Sequence, residues 1–176
     1  MDSFDYSPNP GRVVFGTGTI KNLPDELKTL RLSAPIILST PEQINQAQDV
    51  ENILTEHVKV AGIYANAMMH TPIEVTNAAL EFAVSKGADC IISIGGGSTI
   101  GLGKAISIRT GLYHLAIPTT YAGSEMTPIL GETQDGQKTT RSDPKIFPRT
   151  VIYDVDLTMS LPVSLSSRST PRSAIP

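Results

Sequence analysis

Residues 90–98 combine residue types that suit the binding of a phosphate group. A short apolar run, residues 90–94, ends in Gly95, Gly96, Gly97 and Ser98. Glycines at the end of a buried strand allow a tight turn and let a ligand approach the main chain closely. Ser98 is predicted to cap the helix that follows, whose free N–H groups favour a phosphate. The run predicts a phosphate-bearing ligand, and a strand-to-helix turn without a ligand is the alternative.

Two well-known phosphate-binding patterns are absent from this run. The dinucleotide pattern G-x-G-x-x-G, started at Gly95, requires a glycine where Ile100 stands. The Walker pattern, placed on Gly103-Lys104, requires a glycine at 98 and a hydroxyl residue at 105, and the chain has Ser98 and Ala105. A triphosphate-hydrolysing loop is therefore not predicted, and a phosphate-binding loop of another type remains.

Polar residues also follow two other predicted strands. Thr119 and Thr120 offer hydroxyl groups to a nucleotide, with an ordinary loop containing capping threonines as the alternative. Ser39 and Thr40 follow the second strand, where a carboxylate would favour NAD over NADP. Both side chains are neutral, so the sequence does not decide between NAD and NADP.

Lys138 is the cation that we expect near the ligand. It follows the Asp135-Gly136 pair, which predicts a β-hairpin turn between threonine-rich flanks. A solvated surface lysine is the alternative.

No catalytic residue and no metal site are predicted. His57, His70 and His114 are widely separated, and Cys90 is the single cysteine, so no zinc pattern exists. The sequence around Ser98 lacks the G-x-S-x-G pattern of a nucleophilic serine.

Length and composition exclude several classes of function. The chain has 176 residues, of which 40% are hydrophobic, enough for one domain with a proper core. Its formal net charge of −3 gives no electrostatic support for binding nucleic acid. The polar, acidic N-terminus and the lack of an apolar run of about 18 residues predict a cytoplasmic protein that does not enter a membrane.

Apolar runs alternate with helical patterns, which predicts an α/β fold with a parallel sheet. Strands are predicted at residues 12–15, 35–39, 58–64, 90–94, 114–117 and 151–153, and helices at residues 20–30, 42–56 and 99–109. Residues 1–163 form the predicted domain, and residues 164–176, rich in serine, arginine and proline, are predicted to be a disordered tail.

Another helix has a clear predicted start. Thr71 suits the N-cap, Pro72 the first helical position, and Glu74 closes a capping box. The expected end is Gly87. The residues expected on its buried face are Ile73, Ala79, Leu80, Ala83 and Val84.

Several motifs, in this order, resemble the iron-type alcohol dehydrogenase superfamily and most closely its maleylacetate reductase branch. They are Phe15-Gly16-Thr17-Gly18, His70-Thr71-Pro72, residues 95–98 with Gly101-Leu102-Gly103-Lys104, residues 118–125, Gly131-Glu132-Thr133 with Asp135-Gly136-Gln137-Lys138, and Ile152-Tyr153-Asp154. The resemblance covers roughly residues 10–165 and implies a Rossmann-like parallel sheet flanked by helices, with a β-hairpin, that binds NAD(H) or NADP(H).

The resemblance also implies a role for each site residue. Gly95, Gly96, Gly97 and Ser98 would hold the pyrophosphate, and Thr119 and Thr120 would contact the nucleotide. Ser39 would lie by the adenosine ribose, and Lys138 by the ribose on the nicotinamide side. Maleylacetate reductases transfer hydride from NADH or NADPH to the carbon–carbon double bond of maleylacetate and yield 3-oxoadipate, in the breakdown of aromatic compounds.

The resemblance ends near residue 165. Family members continue there into a helical C-terminal domain that supplies the catalytic histidines and, where metal is used, the iron ligand. We therefore expect a cofactor-binding half that is inactive alone, exposes apolar surface, and meets a small-molecule substrate only if the second domain is supplied. The alternative is a non-catalytic nucleotide-binding module that pairs with a full-length relative; a dimer is left open.

Overall fold

The fold is taken from a computed structural model that describes residues 11–159. The predicted tail at residues 164–176 lies outside the described residues. The described part contains eight strands: β1 Arg12–Gly16, β2 Pro35–Leu38, β3 Gly62–Tyr64, β4 Cys90–Gly95, β5 Tyr113–Pro118, β6 Ile129–Gln134, β7 Gln137–Ser142 and β8 Thr150–Asp154.

Six of these strands form one parallel sheet in the order β1-β8-β5-β4-β2-β3. The central strand β4 is buried at every position, as expected for a strand covered on both faces. The predicted Rossmann-like parallel sheet flanked by helices is confirmed.

Five α-helices are described: α1 Leu23–Leu30, α2 Ile44–Leu54, α3 Ile73–Ser85, α4 Gly97–Thr110 and α5 Val155–Met159. Side chains of α1 and α2 pack on one face of the sheet, against Ile37, Ile92 and Ile117. Side chains of α3 and α4 pack on the other face, against Ile36 and Ile91. In the described part, no helix has the length and apolar character that crossing a bilayer needs.

The predicted hairpin is confirmed as β6 paired antiparallel with β7. Asp135 has φ 51° and Gly136 has φ 74°. Two successive positive φ angles define the two-residue turn that matches the twist of paired strands, and Asp-Gly is a preferred sequence for it.

The capping box predicted at Thr71 is wrong. Pro72 is the N-cap of α3, and no side chain caps this helix in the described part. Thr71 instead has φ 46°, is buried, and its carbonyl accepts a hydrogen bond from Thr133 N at 3.2 Å. The hairpin therefore holds Thr71 in a conformation that a capping residue does not adopt.

Three smaller predictions also need correction. Ser98 is the second residue of α4 rather than its cap, because the helix begins at Gly97 with Gly96 as N-cap. Val84 is 70% exposed, so it does not share the buried face of α3. The third strand begins at Gly62 rather than at residue 58, because the chain after α2 forms a turn first.

Helix α4 lies unusually close to the sheet. Every residue from Thr99 to Ser107 is buried. A Cβ atom added at Gly103 would lie 2.3 Å from Oγ of Ser93 and 2.4 Å from Nε2 of His114. These two side chains hydrogen-bond each other at 2.9 Å, so they are not free to move away. Glycine is thus required at position 103 by the space available.

We predict that Gly103→Ala destabilises the protein by about 1–3 kcal/mol, the usual effect of forcing a methyl group into a packed interior. The free energy of unfolding in urea measures the effect. Gly97→Ala is the matched control, because its Cβ would meet only Ala122 at 3.8 Å. Equal stabilities of the two variants would contradict the close contact.

We also predict that His114 makes the folding stability decrease in acid. Burial lowers the pKa of His114 from 6.5 to about 3, with a smaller effect of Lys104. Between these values the unfolded chain binds a proton that the folded chain does not, so folding stability falls as pH falls below about 6.5. Through His114, the free energy of unfolding falls by at most about 1.4 kcal/mol per pH unit.

Urea unfolding between pH 7 and pH 4 tests this contribution. His114→Asn is expected to show a shallower decline than the wild type, whatever its stability at pH 7. His57→Asn removes an exposed histidine and is expected to keep the wild-type slope. A wild-type slope in His114→Asn would refute the assignment.

Candidate functional site

The sheet brings the predicted site residues together at one edge. Ser39, Gly95 and Thr119 each stand at or just after the carboxyl end of a strand, on the neighbouring strands β2, β4 and β5. Thr119 N donates a hydrogen bond to Gly95 O at 3.0 Å, which joins two of these loops. The carboxyl edge of a parallel α/β sheet is where such folds bind ligands.

The turn at residues 95–97 allows no side chain at its first position. Gly95 has φ 146°, and an added Cβ would lie 2.6 Å from Oε1 of Gln43 and 2.7 Å from Oγ1 of Thr99. A Cβ at Gly96 would lie 3.1 Å from Cγ2 of Thr120. The backbone therefore turns within a confined space, directly beside Thr120.

Helix α4 begins at this turn, with Gly96 as its N-cap. No side chain caps it in the described part of the chain. The first N–H groups of a helix have no acceptor within the helix, and the helix dipole adds partial positive charge there. This end of α4 therefore has the free N–H groups that an anion site needs, and the phosphate site predicted at residues 95–98 stays a prediction.

A cleft of about 320 Å³ lies beside the start of α4. Gly97, Ser98 and Gly101 line one side, and Lys138 of the hairpin lines it as well. Lys138 is exposed, so its charge can reach a ligand in the cleft. The structure thus places Lys138 and Ser98 at one cleft.

His70 and Thr71 also line this cleft. Both have positive φ angles, 66° and 46°, which are uncommon for residues with a Cβ atom. The bond from Thr133 N to Thr71 O at 3.2 Å is part of a parallel β-bridge that joins this segment to the hairpin. Contacts with the hairpin therefore hold this unfavourable backbone in place, as is frequent at binding sites.

Ser39 occupies the predicted position but is fully buried. Its N–H donates to Tyr64 O at 3.1 Å, and its carbonyl accepts from Ala67 N at 3.0 Å. Its hydroxyl is buried and has no hydrogen-bond partner in residues 11–159, and the same holds for Thr99 Oγ1. Such hydroxyls have unused hydrogen-bonding capacity at this edge. The proposed ribose contact of Ser39 stays a prediction.

Gln43 is a site residue that the sequence did not indicate. Its amide Nε2 donates to Oγ1 of Thr119 at 2.9 Å and to Oε1 of Gln46 at 3.1 Å. It therefore fixes the Thr119 side chain beside the glycine turn. A glutamine in a polar helical stretch looks like a solvated residue, so no signal in the sequence marks it.

Asp154 fixes the turn after β1. Its carboxylate accepts hydrogen bonds from the N–H groups of Gly18 at 3.0 Å, Ile20 at 2.9 Å and Asp156 at 3.1 Å. Bonds from three backbone donors satisfy a carboxylate that is only 2% exposed. The two distant sequence motifs, residues 15–18 and 152–154, are thus parts of one structural unit.

The buried Glu125 side chain and the half-buried Tyr153 side chain form a polar pair. The Tyr153 hydroxyl donates to Oε1 of Glu125 at 2.8 Å. Burial raises the pKa of Tyr153 above its usual value, and the Glu125 carboxylate raises it further. The tyrosine therefore stays a neutral hydrogen-bond donor at physiological pH.

Several large apolar side chains near the carboxyl ends of the strands are exposed in the described part. Phe15 is 75% exposed at the end of β1, and Met159 is 78% exposed after β8. Tyr121 and Met126, which follow β5, are each 51% exposed. The described part thus exposes apolar side chains near the carboxyl edge of the sheet, and the expectation that a second domain would cover them stays a prediction.

The resemblance to iron-type alcohol dehydrogenases raises the question of whether the described residues can hold a metal ion. Within residues 11–159, no group of three or more histidine, cysteine, aspartate or glutamate side chains lies close enough together. Cys90 is buried, and burial raises the pKa of its thiol, so it stays protonated. We therefore derive no metal-dependent step from this part of the chain.

Known proteins share both this sequence and this fold. The family model for iron-containing alcohol dehydrogenases matches residues 10–155. A maleylacetate reductase from Rhizobium sp. (strain MTP-10005) is 50% identical over 169 residues, which are 96% of this chain and 48% of that protein. The chain therefore spans about half the length of the curated relatives it matches.

Solved structures agree. The crystal structure of maleylacetate reductase from Agrobacterium tumefaciens matches with a TM-score of 0.92 at 48% identity, covering 96% of this chain and 48% of that one. Sulfoacetaldehyde reductase from Bifidobacterium kashiwanohense, solved in complex with NAD+, shares the fold with a TM-score of 0.85 at 22% identity, covering 96% of this chain and 50% of that one. The chain belongs to the iron-containing alcohol dehydrogenase family.

Proposed function

We propose that this chain is the cofactor-binding half of a maleylacetate reductase-like oxidoreductase that uses NADH or NADPH. The observation that carries the proposal is the uncapped N-terminus of α4, which shares a cleft with the Lys138 side chain. Two sources of positive charge at one cleft suit the two negative charges of a pyrophosphate. The likeness to maleylacetate reductases supports the reaction class.

In this proposal the residues of the chain bind and orient the cofactor. Residues 95–98 hold the pyrophosphate on backbone N–H groups, and Lys138 lies by the ribose on the nicotinamide side. Thr119 and Thr120 contact the nucleotide, and Ser39 lies near the adenosine ribose. The reduced nicotinamide ring supplies a hydride when it is bound. The fold neighbour solved with NAD+ supports a nicotinamide dinucleotide as the ligand.

The described residues do not provide a catalytic acid–base pair. His70 lines the cleft, and within residues 11–159 no hydrogen bond joins it to another titratable side chain. His114 is buried, and its lowered pKa keeps it neutral. Reduction of the carbon–carbon double bond of maleylacetate, in the breakdown of aromatic compounds, is thus assigned to a complete protein that includes the second half present in the relatives.

A second candidate is a nucleotide-binding module without catalytic activity that pairs with a full-length relative. The exposed apolar side chains at the ligand edge, such as Phe15 and Met159, favour it, because monomeric proteins rarely leave a large apolar patch uncovered. Both candidates share the same cofactor site.

We predict that Gly97→Asp weakens NADH binding at least about tenfold, because a carboxylate at the start of α4 repels the pyrophosphate. A titration that follows NADH fluorescence measures this change. The same carboxylate interacts favourably with the helix dipole, so the melting temperature is not expected to fall.

Gly97→Ala is the control, since it adds an uncharged methyl group that makes only an ordinary contact with Ala122 at 3.8 Å. Its dissociation constant is expected to stay within about threefold of the wild type, because uncharged changes at open positions have small effects. Equal affinities of Gly97→Asp and the wild type would contradict a phosphate site at this turn.

We further predict that the 176-residue chain binds NADH but does not reduce maleylacetate. Loss of NADH absorbance at 340 nm, with maleylacetate and the purified chain, is the assay. Addition of a full-length relative with an inactivated cofactor site tests the pairing candidate. Steady turnover by the purified chain alone would overturn the assignment of catalysis to a second half.

A further inference from the structure

Lys104 is the largest side chain that the fold buries completely. It belongs to α4 and reaches under the loop that joins β5 to β6. Its ammonium group Nζ donates to Thr127 O at 2.8 Å, to Ile129 O at 3.0 Å, and to Ser124 O at short range. One cation thus satisfies three backbone carbonyls that are close in sequence.

Two of these three residues also form the cleft. Ser124 and Ile129 line it opposite the start of α4. The loop that carries them begins at Thr119 and Thr120, the residues that the proposed function places against the nucleotide. The Lys104 ammonium therefore bonds directly to the backbone of one wall of the site.

Other contacts hold the rest of the hairpin. Glu132 pairs with Arg109 at 2.8 Å, and Thr133 N donates to Thr71 O at 3.2 Å. Neither contact reaches residues 124–129. That stretch begins with a short 3-10 helix, in which Thr127 N donates to Ser124 O at 3.2 Å. The ammonium group of Lys104 adds bonds to the carbonyls of Ser124, Thr127 and Ile129.

The surroundings of Lys104 favour an amine that is charged at neutral pH and loses its proton at moderately higher pH. Burial lowers the pKa of Lys104 to about 8, while the nearby Glu125 carboxylate opposes this shift. The other titratable groups nearby are Tyr153, bonded to Glu125, and His114, which is neutral. An ammonium group has three donors for three carbonyls, and a neutral amine has two.

We propose that Lys104 is a positioning residue of the cofactor site: its ammonium group holds the three loop carbonyls and thereby fixes the cleft wall that Ser124 and Ile129 form. The inference rests on the proposed function, because the wall matters to the extent that a cofactor binds beside it. A residue that merely fills the core would affect the stability of the whole protein and would not act on this loop selectively.

Lys104→Met in the 176-residue chain tests the proposal. Methionine fills a similar volume without charge or donors, so the three carbonyls lose the ammonium group. The Ser124 carbonyl then keeps only its bonds from the N–H and the hydroxyl of Thr127. Amide hydrogen exchange of residues 124–130 is expected to accelerate at least about tenfold, whereas the Thr133 amide, held by Thr71, keeps its rate. Lys28→Met, which removes an exposed lysine of α1, is the matched control.

Cofactor binding gives a second measurement. The dissociation constant for NADH is expected to rise about tenfold in Lys104→Met and to stay unchanged in Lys28→Met. As pH rises from 7 to 9, wild-type affinity is expected to weaken as Lys104 loses its third donor. The variant is expected to show no such change.

The outcomes separate the two proposals. If the wild type binds no NADH, the proposed function fails, and hydrogen exchange still decides the role of Lys104. If NADH binds and exchange at residues 124–130 is unchanged in Lys104→Met, the positioning role is refuted. If that variant does not fold, wild-type exchange at residues 124–130, corrected for its intrinsic pH dependence, must accelerate between pH 7 and pH 9; a flat profile refutes the proposal.

Discussion

The close approach of α4 to the sheet is the constraint on which the remaining structure depends. A Cβ at Gly103 would meet Ser93 and His114, and a Cβ at Gly101 would lie 2.6 Å from Oγ1 of Thr71. The helix can lie this deep because it has no side chains at these contacts. Its depth in turn determines where its N-terminus lies, directly after β4 and next to the Thr119–Thr120 loop. A phosphate site at this edge is thus a result of packing as much as of the glycine turn.

A helix buried this deeply must also satisfy the polar groups that it carries inward. Lys104 does so with carbonyls of the neighbouring loop. On the strands beneath the helix, the buried side chains of Ser93 and His114 bond to each other. Breaking a buried charged contact by removing one partner leaves unsatisfied groups in a poorly solvated environment. The polar contacts therefore link the helix, the sheet and the loop around the cleft, so that the position of each affects the others.

The sequence predicted the sheet, its flanking helices and the hairpin, because these depend on apolar periodicity and on one Asp-Gly turn. It also predicted the glycine turn, which the structure contains, and a phosphate site there, which stays a prediction. It misassigned Thr71, since the capping-box pattern is local and the hairpin that holds Thr71 lies about 60 residues away. It missed Gln43 and the contacts of Lys104, because a polar residue in a helical pattern gives no sign that it is buried or what it meets. Contacts between elements distant in sequence decided these cases.

At the carboxyl edge of the sheet, the described residues are suited to binding a ligand rather than to catalysing a reaction. Its polar centre is largely complete: backbone N–H groups, hydroxyls and a cation converge there from elements that pack on one another within the described residues. Its surroundings are apolar and exposed at Phe15, Tyr121, Met126 and Met159. Hydride transfer benefits from the exclusion of water, which an open edge does not provide and a covering surface would. Because these apolar side chains are not among the residues that line the cleft, a surface that packs on them would leave the polar groups of the cleft in place. Under the proposed function, a chain of this kind would bind the dinucleotide with its own residues and would still need a second surface for the reaction.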